Sequence, residues 1–92
     1  MDIFEQAAEK IIEEQEKIIG PIAIEQARKV HGLSVDFQKH EVKIEGNEKE
    51  ILQHLVEQYE HLFGQTSVEV CKEAVKNIIK QVPSDKIPSL IL

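Results

Sequence analysis

The chain is poor in the residues that carry disulfide chemistry and base stacking. Among its 92 residues there is no tryptophan and one cysteine, and aromatic residues make up 4%. A lone cysteine, Cys71, cannot form an internal disulfide, so the stapled framework of a small secreted domain is excluded. The scarcity of aromatic rings also argues against a groove that stacks the bases of single-stranded nucleic acid.

Long apolar runs and an excess of basic charge are missing as well. No apolar stretch approaches the roughly 20 residues that a membrane-spanning helix needs, and the first residues lack the pattern of a signal peptide. We therefore expect a cytoplasmic protein. The net charge is -6, from 17 acidic and 11 basic residues, which repels phosphate backbones and anionic lipids. Neither nucleic acid nor membrane is an expected partner.

No familiar catalytic motif occurs in the chain. Serine, histidine and aspartate are present, but there is no Gly-x-Ser-x-Gly elbow and no glycine-rich phosphate loop. We therefore expect a protein that is not an enzyme, with no catalytic residues and no cofactor. Its hydrophobic fraction of 41% is sufficient for a packed aliphatic core, and residues 1–92 are predicted to form one small domain.

Four glycines divide the chain where its hydrophobic pattern changes, as expected of helix ends and turns. They are Gly20, Gly32, Gly46 and Gly64. The Gly20-Pro21 step cuts one apolar helical run in two, because proline ends one helix and can begin the next. The pattern predicts a first helix over 3–19, capped by Asp2 and Glu5, and a short helix from 22 to the His31-Gly32 step.

The remaining segments predict a hairpin and two longer helices. Residues 33–37 and 42–45 alternate with a period of two, which favours strands that pair Phe37 with Val42 and Val35 with Ile44. A helix capped by Asn47 should end at Gly64, with Leu62 and Phe63 facing inward, and a helix capped near Thr66 should run to Pro83. The predicted fold is α+β and predominantly helical: helix, helix, β-hairpin, helix, helix and a short C-terminal turn.

Two features could carry chemistry. Glu50, His54, Glu57 and His61 project from one stripe of the third helix, where three of them have a spacing that could bind zinc or another divalent ion. The other interpretation is a solvated face with weak side-chain pairs, which we favour. Cys71 lies near a helix start that could activate a thiol, but it falls on an apolar face, where a free cysteine packs as a small hydrophobic residue.

Two further features could contact partners. A basic stripe of Lys72, Lys76 and Lys80 is interleaved with Glu69 and Glu73, which offset its charge and favour an ordinary exposed flank over a phosphate-binding surface. The C-terminal segment ends in apolar residues that either close the core or form an interface. These residues are Ile87, Leu90, Ile91 and Leu92.

The run Ile19-Gly20-Pro21-Ile22-Ala23, with residues 51–56 and the Phe63-Gly64 step, resembles the Gly-Pro-Ile-Ala element of small helical modules at the ends of some bacterial signalling kinases and cyclases. The resemblance implies a bacterial regulatory or interaction domain without catalytic residues. We therefore expect a non-enzymatic protein-interaction module that forms a homodimer or binds a protein partner. The alternative is a small metal-dependent or thiol-dependent enzyme or sensor that uses the His/Glu stripe or Cys71.

Overall fold

The computed structural model describes residues 2–92, which form four α-helices and one antiparallel pair of strands. The elements are α1 (Ile3–Ile19), α2 (Ile22–Ala27), β1 (Leu33–Asp36), β2 (Glu41–Ile44), α3 (Glu48–Phe63) and α4 (Gln65–Val75). Single 3-10 turns follow at Ile79–Gln81, Ser84–Lys86 and Ser89–Ile91. The predicted helix-helix-hairpin-helix-helix order is confirmed, and so is the short turn at the C-terminus.

The first helix has the predicted bounds and the predicted capping box. The backbone N–H of Glu5 donates to Asp2 Oδ1 at 2.8 Å, and the Asp2 N–H donates to Glu5 Oε1 at 3.1 Å. The helix ends at Gly20, whose φ of 74° few other residues adopt. The second helix is shorter than predicted and ends at Ala27, because tighter i to i+3 bonds such as Val30 N–H to Ala27 O redirect the chain towards β1.

The hairpin forms, but its predicted register is wrong by two residues. Val35 lies opposite Val42, and Leu33 lies opposite Ile44. The Asp36 carboxylate accepts a bond from the Lys39 N–H at 3.3 Å, which fixes a four-residue loop over 37–40 rather than 38–41. A shift of two leaves the same side chains on the same face, so the predicted apolar face survives the change of register.

The third helix begins as predicted, whereas the fourth differs at both ends. The Asn47 side chain accepts from the Glu50 N–H at 3.0 Å. No side chain caps α4, because Gly64, with a φ of 81°, turns the chain so tightly that the helix starts at Gln65. The prediction of a cap near Thr66 is therefore wrong. The helix also ends at Val75 instead of continuing to Pro83, since 3-10 turns replace its last part.

The core is formed by one face of each helix together with the hairpin. Ile11, Ile12, Leu55 and Val56 have no exposed surface and form its centre. The C-terminal segment closes one side of the core through Ile87 and Ile91, which are 8% and 5% exposed, while Leu92 is 68% exposed. Ile87 and Ile91 of this segment therefore belong to the core, whereas Leu92 does not. No helix within residues 2–92 has the length and apolar content needed to cross a bilayer.

Candidate functional site

The predicted His/Glu stripe lies on the solvent side of α3. Glu50, His54, Glu57 and His61 are all exposed, and the Glu57 carboxylate accepts a long 3.5 Å bond from Gln53 Nε2. Residues 2–92 contain no group of three histidine, cysteine or acidic side chains arranged to hold a metal ion. The stripe is therefore a solvated helix face, and its side chains are not arranged as a metal site.

Cys71 lies in the seam between α1 and α4 and is fully buried. Its Sγ accepts a hydrogen bond from Gln15 Nε2 at 3.4 Å. Burial raises the pKa of the Cys71 thiol to about 11, so at neutral pH the group remains protonated and is a poor nucleophile. The prediction that Cys71 packs as a small hydrophobic residue is confirmed, and its position favours a structural role over a thiol-dependent activity.

The lysine stripe is partly neutralised by its own helix. Lys72 Nζ lies 3.8 Å from a Glu69 carboxylate oxygen, and Lys76 Nζ lies 4.0 Å from one of Glu73. Lys80 is exposed in the 3-10 turn beyond α4. The interleaved carboxylates reduce the field of this stripe, as the spacing predicts, so it is an ordinary exposed flank.

Four large apolar side chains are exposed beside the two helix corners. They are Ile18, Ile22, Leu62 and Phe63, which we call the corner patch. Ile18 is 64% exposed and Leu62 is 45% exposed. The prediction that Leu62 and Phe63 face the core is therefore wrong. They lie one turn beyond Tyr59, whose hydroxyl bonds to the first turn of α2, so they project past the start of α2 and are not covered by it.

Two buried hydrogen bonds show that the two corners lie at the same end of the molecule. The Tyr59 hydroxyl donates to the Ala23 carbonyl at 2.6 Å and ties α3 to α2. Gln15 Nε2 donates to the Ser67 carbonyl at 3.0 Å and ties α1 to α4. Each corner-patch residue lies within about one helical turn of one of these four residues. The patch therefore occupies the end of the helix bundle where the Gly20 and Gly64 corners lie.

An open groove runs between α2 and the outer edge of β1. Its volume is about 680 Å³, compared with about 340 to 440 Å³ for three other open grooves on the described surface. Its lining combines apolar and charged side chains from both elements: Pro21, Ile24, Glu25 and Arg28 on one side, and Val35, Asp36, Phe37 and Gln38 on the other. By contrast, an apolar cavity beneath the C-terminal segment has a volume of only about 20 Å³, which is too small for a ligand larger than water.

Carboxyl groups from two helix starts meet beside β2. Glu5 Oε2 accepts the Ile44 N–H at 2.9 Å, and the Asp2 carboxyl is hydrogen-bonded to that of Glu48. This hydrogen bond, partial burial and the charges of Asp2 and Glu5 raise the pKa of Glu48 to about 7, against an opposing effect of Lys86. The same hydrogen bond lowers the pKa of Asp2, so the pair retains one proton in mildly acidic solution.

Replacing Glu48 with glutamine is expected to remove a pH dependence of stability. Because the pKa of Glu48 is raised by folding, the folded state binds more protons than the unfolded state between its ordinary value of 4.5 and about 7. The free energy of unfolding of the wild type should therefore fall as the pH rises through this window, by less than about 1 kcal/mol for this partly exposed group. Denaturant titrations at pH 5 and 8 should show a smaller fall for Glu48→Gln, whereas Glu50→Gln should match the wild type. An equal fall in all three proteins would contradict the prediction.

Comparisons of this chain with protein-family models, with curated protein sequences and with solved structures found no match. The resemblance to the Gly-Pro-Ile-Ala modules therefore stays a prediction.

Proposed function

We propose that this protein is a non-enzymatic, cytoplasmic interaction module that self-associates through its corner patch and acts in bacterial regulation. The observation that carries the proposal is the concentration of exposed Ile18, Ile22, Leu62 and Phe63 at one end of the molecule. Single exposed apolar side chains are ordinary, whereas a group of large ones at one site is typical of an interaction surface. The bacterial and regulatory parts of the proposal rest on the sequence resemblance.

The chemistry of the patch fits a second copy of the same surface. A two-fold dimer brings identical patches together, so apolar side chains meet apolar side chains. The charged residues beside Ile18, which are Lys10, Glu14 and Glu73, would form the polar rim of such an interface. Most other faces of this acidic chain carry charges, for example the glutamates beside Lys72 and Lys76. Burial of apolar side chains supplies the driving force, and the rigid helix ends on either side limit the conformational entropy that is lost.

The test replaces two patch residues with lysine and measures molar mass. Ile18→Lys with Leu62→Lys should convert a concentration-dependent dimer into a monomer in size-exclusion chromatography with light scattering. Both side chains are largely exposed, so the far-ultraviolet circular dichroism of the variant should remain that of the wild type. Leu92→Lys is a matched control, because Leu92 is at least as exposed but lies outside the patch, and it should leave the dimer intact.

Two results would contradict this function. The first is a wild type that stays monomeric up to millimolar concentration. The second is a dimer that is as stable in the double variant as in the Leu92→Lys control, which would move self-association to another surface.

A further inference from the structure

The hydrogen-bonding pattern of the hairpin shows which backbone groups face outward. The Glu45 N–H donates to the Gly32 carbonyl at 2.8 Å, so these two residues form a hydrogen-bonded pair just outside the ladder. Hydrogen-bonded and non-hydrogen-bonded pairs alternate along an antiparallel ladder. With Leu33 opposite Ile44 and Val35 opposite Val42, the N–H and C=O groups of Leu33 and Val35 therefore point away from β2.

The two outer edges of the hairpin differ in how many of their outward backbone groups are hydrogen-bonded by the rest of the fold. On the β2 side, the outward Ile44 N–H donates to Glu5 Oε2 of α1 at 2.9 Å. On the β1 side, the Leu33 N–H donates to the Val30 carbonyl at 3.2 Å. Within residues 2–92, no hydrogen bond reaches the outward N–H and C=O of Val35. The edge of β1 is thus an open strand edge, which natural proteins usually cover or use for pairing.

The groove between α2 and β1 lies along this open edge. A strand added to β1 would run about 4.8 Å from it, in the space that separates Val35 and Phe37 from Ile24 and Pro21 of the facing wall. The groove volume of about 680 Å³ accommodates a short extended segment and is not filled by any other part of residues 2–92. The space therefore permits backbone pairing at Val35.

The side chains around the groove indicate what such a segment carries. Ile24, Val35 and Phe37 are apolar and partly buried, so alternate side chains of an added strand that point the same way should also be apolar. The other face of β1 carries the exposed Asp36, and Glu25 lies on the opposite wall. Neither of these carboxylates forms a salt bridge with any residue in 2–92.

We propose that the edge of β1 binds an extended segment of a partner protein by strand addition, and that this segment alternates apolar with basic side chains. The backbone pairing would supply affinity, while the apolar floor and the carboxylates would supply selectivity. The groove carries two acidic groups, Glu25 and Asp36, and one guanidinium, that of Arg28, and the chain has a net charge of -6. This charge balance favours a basic segment over a second copy of this acidic protein. The groove shares no residue with the corner patch, although Pro21 of its wall adjoins Ile22, and the proposal does not rest on self-association.

The test selects ligands from a random heptapeptide library with the full chain and compares two variants at position 35. Val35→Pro removes the outward N–H without breaking a bond to β2, since proline is tolerated at a strand edge. Val35→Thr keeps the N–H and the branched shape and is the matched control. We expect enriched peptides with alternating apolar and basic residues that bind Val35→Thr like the wild type and bind Val35→Pro at least ten-fold more weakly.

Amide hydrogen exchange of the wild type gives a second readout that does not depend on the folding of the proline variant. A bound peptide should slow exchange at Val35 while leaving Leu62 and Phe63, which do not line the groove, unaffected. The proposal is overturned if no peptide is enriched, if the enriched peptides bind Val35→Pro as well as Val35→Thr, or if exchange slows only elsewhere. It is also overturned if Val35 becomes protected by raising the protein concentration without peptide, because the occupant is then a second copy. Peptide binding that persists in the Ile18→Lys and Leu62→Lys double variant separates this site from the proposed dimer.

Discussion

Replacing Gln15 with glutamate is expected to destabilise the protein by about 3 to 5 kcal/mol at neutral pH, the cost of leaving a buried charge uncompensated. Gln15 is 1% exposed, and its Nε2 donates to the Ser67 carbonyl at 3.0 Å and to Cys71 Sγ at 3.4 Å. An ionised carboxylate has no hydrogen to donate. A glutamate at position 15 would therefore place a negative charge next to the Ser67 carbonyl oxygen and Cys71 Sγ, in the seam between α1 and α4.

The pH dependence distinguishes this charge effect from a simple loss of packing. Burial should raise the pKa of the new carboxyl group above the unfolded value of about 4.3. The folded state then binds the extra proton, so the penalty is smallest in acid and grows as the pH rises through the raised pKa. Gln15→Met is the control, since it loses both hydrogen bonds without adding charge and should cost about 1 to 2 kcal/mol at any pH. Denaturant titrations at pH 5 and 8 measure the cost of each substitution. Equal costs for Gln15→Glu and Gln15→Met at pH 8 would contradict the argument.

Gln15 also shows what sequence alone can supply. Its spacing places it in the same helical row as Ile11 and Ile12, so its inward position is predictable from periodicity. Its partner, Ser67, is 52 residues away along the chain. No local pattern identifies that contact, because it depends on how two helices pack, and the seam around Cys71 could be recognised only from the structure.

The corners and caps could be predicted from the sequence, because local interactions determine them. The Asp2 capping box, the Asn47 cap and the break at Gly20 each depend on residues within four positions, and each forms as predicted. The missing cap near Thr66 is the exception, since Gly64 alone makes the turn and α4 starts before a side chain could cap it.

The features that were predicted incorrectly from the sequence are those that depend on tertiary packing. A period of two defines which face of a strand is apolar but does not distinguish registers that differ by two residues, so the pairing of Val35 was wrong while its face was right. Leu62 and Phe63 have the correct helical phase for burial, but they lie beyond the start of α2, which leaves them uncovered. The corner patch could therefore not be predicted from α3 alone, because its exposure depends on where another helix begins.

Replacing Gly32 with alanine is expected to destabilise the protein by about 2 to 4 kcal/mol, a cost typical of strain combined with overpacking. Gly32 has a φ of 88°, a conformation that costs other residues roughly 1 to 2 kcal/mol. An added Cβ would also lie 2.7 Å from the Glu45 carbonyl oxygen and 2.7 Å from Ile51 Cδ1. The Ile51 side chain can move, but the backbone of Glu45 is held by its own N–H bond to the Gly32 carbonyl at 2.8 Å.

Gly64→Ala separates the two contributions, because Gly64 has a φ of 81° and an added Cβ there meets nothing within 4 Å. Its cost should therefore be the conformational strain alone, roughly 1 to 3 kcal/mol for a φ of 81° with a ψ of -168°, and a larger cost for Gly32→Ala would report the clash at Gly32. Urea titrations of both provide the numbers, and equal costs would show that the chain relaxes around the new methyl group. Because Gly32 leads into β1, its substitution should also speed amide exchange at Ser34 and Lys43, whose paired backbones hold the open strand edge in place.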